Sequence, residues 1–122
     1  MSDSLKPEQP PAPEIALPIV LVMDGAGMVA EWTPQAEEIF GWPREEAVGR
    51  KLSSRIIPER HRAAHEAGLK RFLAGGSGAL LDRTLEIVAI DRGGHEFNVE
   101  IRITAEKRGD GYRFVARARR VD

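Results

Sequence analysis

Apolar and polar positions change their period along the chain, and each period predicts a different element. Ile19, Val20, Leu21, Val22 and Met23 form a continuous β-rich run, and extended character resumes from Met28 to Trp32. Between them, Asp24-Gly25-Ala26-Gly27 supplies the positive-φ positions of a tight reversal, so the two runs read as a hairpin. After Pro58 the period becomes helical: His61, His65, Gly68, Leu69 and Phe72 share one face, with Ala63, Glu66 and Lys70 opposite. From Arg83 the period falls to two. Leu85, Ile87 and Ala89 alternate with Thr84, Glu86 and Val88, and Phe97, Val99, Ile101 and Ile103 alternate with Asn98, Glu100 and Arg102. A last strand sets Tyr112, Phe114, Ala116 and Ala118 against Arg113, Arg117 and Arg119.

The punctuation between these runs is chemically specific. Thr33 followed by Pro34 supplies an N-cap and an N1 proline, which predicts a short helix from 34 to about 40 that stops at Gly41. Pro43 with Glu45 and Glu46 opens another helical turn ending near Gly49. Gly75-Gly76-Ser77-Gly78 closes the long helix with a flexible link, and Asp91-Arg92-Gly93-Gly94 and Gly109-Asp110-Gly111 are turns. The sum is five strands with the helices inserted between the second and third. This predicts an α+β domain, a five-stranded antiparallel sheet with helices packed on one face. A cavity between the two layers is the natural place for a ligand.

Composition narrows the function. A chain of 122 residues, 42% of them apolar, has room for one modest core and one domain. A formal net charge of −1 provides no global field for nucleic acid, so direct nucleic-acid binding is not expected. The absence of cysteine removes disulfides, thiolate ligands and thiol nucleophiles, and suits a reducing, cytoplasmic location. Residues 1–17 read as a disordered Pro-rich leader and 18–122 as the domain. The longest apolar stretch, 15–23, is interrupted by Pro18 and falls short of the roughly 20 residues that cross a bilayer, so no membrane span is expected.

The order DGAG, WTPQAEEIFGW, EEAVG and DRGGHEFNVEI resembles PAS domains, which are small sensor and interaction modules. The resemblance covers 19–121, with Thr33 where Asn is usual and Gly93 where Asp is usual. It implies a signalling module that binds a small ligand or partner and relays a conformational change, and not an enzyme. The carboxylates Glu37, Glu38, Glu45, Glu46, Glu59 and Glu66 fit solvated helix surfaces, and no serine has the context of an activated nucleophile. A small apolar ligand would lie among His65, Leu69 and Phe72 of the helix and Leu85, Ile87, Val99, Ile101 and Phe114 of the sheet. One alternative is a ligand-free module for homodimerisation or for docking on a signalling effector, including regulators of transcription.

A second alternative is a haem-based gas or redox sensor. The stretch IPERHRAAHEAGLKRF resembles the haem-binding helix of rhizobial oxygen-sensor PAS domains, which places His65 at their proximal iron ligand. Leu85 stands where those sensors carry a distal arginine, and Arg83 could take that role only with a shift in register. Flavin photochemistry that requires a cysteine is excluded. His61 and His65, four residues apart, could supply two zinc ligands but lack a third. Arg113, Arg117, Arg119 and Arg120 read either as a solubilising face that blocks edge pairing or as a docking surface. Trp42 is expected to anchor the first helix on the core, and Trp32 to do so or to touch the pocket.

Overall fold

The computed structural model describes residues 17–75 and 81–121. The proposed leader lies outside them apart from Leu17, which is buried, and so does the Gly76-Ser77-Gly78 link. Strands β1 (Ile19–Asp24) and β2 (Val29–Trp32) form the expected hairpin. Its turn is tied by Asp24, whose Oδ1 accepts from the Ala26 and Met28 amides at 2.9 and 3.0 Å. Gly27 adopts φ 84°, the left-handed geometry that a side chain would strain.

Helix α1 (Pro34–Phe40) begins and ends where its caps predict. The Thr33 hydroxyl accepts from Ala36 N at 3.3 Å and donates to Val20 O at 2.8 Å, so one side chain caps the helix and ties it to β1. Gly41, at φ 80°, terminates it. Helix α2 (Arg44–Ala47) follows. The next helix, α3 (Leu52–Ile56), was not anticipated, because five residues are too few for a helical period to emerge. Helix α4 (Glu59–Leu73) is the long one.

Strands β3 (Thr84–Ile90), β4 (Glu96–Arg108) and β5 (Gly111–Val121) complete a five-stranded antiparallel sheet in the order β2-β1-β5-β4-β3. The last strand is therefore central. It pairs β1 through Leu21↔Ala116 and Met23↔Phe114, and β4 through Ile101↔Ala118. This removes the edge-blocking reading of the basic run. Arg119 instead holds Glu100 at 2.8 Å and Arg113 holds Glu31 at 2.7 Å, cross-strand pairs on the sheet, while Arg120 lies over the Phe97 ring.

The layer between sheet and helices has a closed half and an open half. In the closed half, Phe40, 1% exposed, lies between Trp32 and Phe97 with ring centroids 5.6 and 5.9 Å away. Ala36, Ala89 and Val99 are buried in the same core. The open half lies under α4, a helix with no fully buried residue. An amphipathic helix packed directly on a sheet would bury its apolar stripe. α4 reaches the sheet through Phe72, edge-on against Tyr112 and Phe114, while the rest of its apolar face is only partly covered.

Candidate functional site

The space beneath α4 is a half-open cavity of about 620 Å³. Its floor is the inner sheet face: Leu21 and Met23 from β1, Ile87 from β3, Ile101 and Ile103 from β4, and Phe114 and Ala116 from β5. Alternation at period two puts these side chains on one face, and the antiparallel register brings them together. The wall is Leu52, Ile56 and Ile57, and the roof is Ala64, His65, Gly68, Leu69, Arg71 and Phe72 of α4, with Leu81 at the side.

Six of the residues expected from sequence meet here: His65, Leu69, Phe72, Ile87, Ile101 and Phe114. Leu85 and Val99 do not line the cavity. Val99 is buried in the closed core, and Leu85 is half-buried on the edge strand β3, opposite Ile101. Sequence reasoning missed the α3 wall, although the spacing of Leu52 and Ile56 and the apolar pair before Pro58 carried the signal. Trp32 does not touch the cavity. Its indole donates to Trp42 O at 2.9 Å within the closed half. Trp42 is half-buried and is held from outside: Arg55 lies 4.1 Å and Arg92 5.1 Å from its ring centroid, a cation–π stack.

His61 does not share the inward face with His65. Arg60 binds both Glu96 oxygens, at 2.5 and 2.8 Å, which fixes the first turn of α4 beside the start of β4 and leaves His61 exposed. Among the described residues no three His, Asp or Glu side chains group as a metal site.

His65 forms part of the wall between the main cavity and a smaller groove of about 270 Å³. Its Nδ1 is buried and has no hydrogen-bond partner among the described residues. Burial pushes the imidazole below the ordinary histidine range, with Glu66 acting in the opposite sense, so the ring is neutral at pH 7. On the groove side the buried Ser53 hydroxyl donates to Glu66 Oε2 at 2.8 Å, and Lys51 lies 3.6 Å from Oε1. These contacts hold the Glu66 carboxyl below its usual range, Ser53 first and Lys51 second. They also tie α4 to α3. With Arg60–Glu96 they are the polar clamps that locate α4 over the cavity.

This is a half-open, largely apolar chamber under a helix held in place by polar clamps. The comparisons agree with the architecture. An uncharacterized protein of Azorhizobium caulinodans is 32% identical over 96 residues, 79% of this chain and 13% of that protein. Sensor protein FixL of Bradyrhizobium diazoefficiens is 32% identical over 53 residues, 43% of this chain and 10% of that protein. The chain thus spans only 13% and 10% of the length of these curated relatives. The PAS domain of the RpfR quorum-sensing receptor of Cronobacter turicensis, solved in complex with BDSF, superposes with a TM-score of 0.67 at 14% identity, over 85% of this chain and 93% of that one. At that identity the likeness concerns the fold alone. The family model for the PAS fold matches residues 16–121, and with the sheet order and helix placement already described, the chain belongs to the PAS family.

Proposed function

We propose that the chain is a sensory module that takes a small, largely apolar ligand into the cavity under α4 and converts its presence into a shift of α4 against the sheet. The observation that carries this reading is the 620 Å³ chamber roofed by a helix with no fully buried residue. A ligand there supplies the apolar contacts that α4 lacks, at about 25 cal/mol per Å² of apolar surface removed from water. It therefore favours one arrangement of α4 over another, which is a population shift. The clamps Ser53–Glu66 and Arg60–Glu96 are where the shift would be felt outside the chamber.

The output would be read by a second copy of the chain or by an effector, in the cytoplasm. The small share of its relatives' length that the chain spans supports the effector, and the absence of cysteine suits that compartment. The RpfR domain, with the same fold, is the PAS domain of a quorum-sensing receptor and was solved in complex with BDSF, which supports a ligand here. Hydrogen exchange with and without ligand tests the relay. The reading requires slower exchange in α4 and α3 when ligand is bound, and unchanged exchange in both helices would refute it.

The haem reading is favoured by His65, a neutral imidazole on the cavity wall, and by the likeness to FixL. The surrounding residues fit it poorly. A metal-bound histidine normally donates its second ring nitrogen to an acceptor, and the buried Nδ1 of His65 has none among the described residues. Leu85, at the distal position, lies outside the lining, and Arg83 is exposed before β3 begins. Protein produced with haem precursor and purified colourless would end this reading. A Soret band abolished by His65→Ala would establish it in place of the apolar-ligand reading.

A further inference from the structure

We infer that the ligand of this cavity is an anionic amphiphile whose carboxylate is held by Arg71 at the rim while its hydrocarbon tail fills the chamber. The inference rests on the apolar-ligand reading and adds the chemistry of the head group. Seventeen of the described residues line the chamber, and of these only His65 and Arg71 carry a polar side chain. His65 is neutral. Among the described lining residues Arg71 is then the one formal charge.

Its position follows from the helix. Long side chains on a helix lean back over the preceding turn, and three residues before Arg71 stands Gly68, which has no side chain to occupy that space. An Arg71 guanidinium nitrogen lies 3.8 Å from the point a Cβ at Gly68 would occupy. Arg71 is thus exposed at the mouth of the chamber, with its guanidinium turned back over Gly68. Among the described residues Arg71 makes no hydrogen bond or ion pair, whereas Arg60, Arg92, Arg113 and Arg119 each hold a carboxylate. A guanidinium beside an apolar chamber, with its fork of donors uncommitted, matches a carboxylate attached to a chain.

The other groups near the roof do not compete for that head. Glu66 opens onto the neighbouring groove and is engaged by Ser53 and Lys51. The aromatic pair Phe72 and Phe114, edge-to-face with centroids 5.6 Å apart, offers the tail an apolar corner. Each added methylene should strengthen binding about four-fold until the chamber is full. The head contact, partly exposed at the rim, should add about five- to ten-fold over an uncharged head of the same length.

Calorimetry at pH 8 with decanoate and decanol, on the purified chain stripped of bound small molecules, tests this. Wild type should prefer the acid about five- to ten-fold. Arg71→Ala should bring that ratio to about one, Arg71→Lys should retain most of it, and Arg71→Glu should reverse it. Equal affinity for acid and alcohol in wild type, or a ratio unchanged by Arg71→Ala, overturns the head-group assignment while leaving the chamber as an apolar site. If neither compound binds wild type, the apolar-ligand reading falls and the inference falls with it. Gly68→Leu separates these outcomes, because it occupies the chamber and should weaken decanol as strongly as decanoate.

Discussion

Gly68→Leu is the perturbation for which the open half of the fold makes the least ordinary prediction. Gly68 lies in the interior of α4 and faces the cavity. A Cβ there meets nothing closer than the Arg71 guanidinium at 3.8 Å, the far end of a flexible side chain. Replacing glycine by leucine within a helix is worth roughly 0.7 kcal/mol in propensity. Burying the new side chain fully would add about 1.5–3 kcal/mol, and a half-open chamber returns about half the lower figure. The ligand-free variant should therefore gain about 1.5 kcal/mol, a rise in Tm of about 6 °C for a domain of this size. Thermal unfolding followed by circular dichroism, on protein stripped of small molecules, measures it. A fall in Tm would refute the reasoning, because inserting a large side chain into a close-packed interface costs about 1–3 kcal/mol, and α4 would then already be seated on the sheet.

The closed half should respond in the opposite way. Phe40→Ala removes a fully buried ring between Trp32 and Phe97 and should cost about 3–5 kcal/mol by urea unfolding, enough to leave much of the protein unfolded. Thr33→Ala loses both the helix cap and the bond to Val20 O and should cost about 1–2 kcal/mol, while Thr33→Ser should recover most of it. For His65 the folded pKa is lowered, so the unfolded state binds the extra proton first. The stability contributed by the neutral ring is complete above about pH 6.5 and is lost as pH falls from there through the lowered folded value. Urea midpoints between pH 8 and pH 5 should fall in wild type, and the part of that fall lying above the carboxylate range should disappear in His65→Phe.

The elements that were legible in the sequence are those defined by local chemistry. The hairpin turn is set by Asp24 and Gly27, α1 by Thr33, Pro34 and Gly41, and the strands by alternation that survives in the inner face of β4 and β5. What was not legible depends on which surfaces meet. A wheel places His61 beside His65, but only the tertiary Arg60–Glu96 pair, which sets the first turn of α4 beside β4, accounts for His61 lying exposed. Alternation places Val99 and Ile101 on one face, yet it does not say that Phe97 and Phe40 close the core at Val99 while the chamber begins at Ile101. The place of Arg71 at the rim was not legible because it depends on the missing side chain at Gly68 and on the lack of a carboxylate beside it among the described residues.

Native mass spectrometry of the purified chain addresses the central claim, that the space under α4 is a ligand chamber. Wild type incubated with decanoate should appear as the chain plus one decanoate, and Gly68→Leu under the same conditions should appear as the bare chain. A bare mass for wild type, or one adduct of equal intensity in both proteins, would contradict the account.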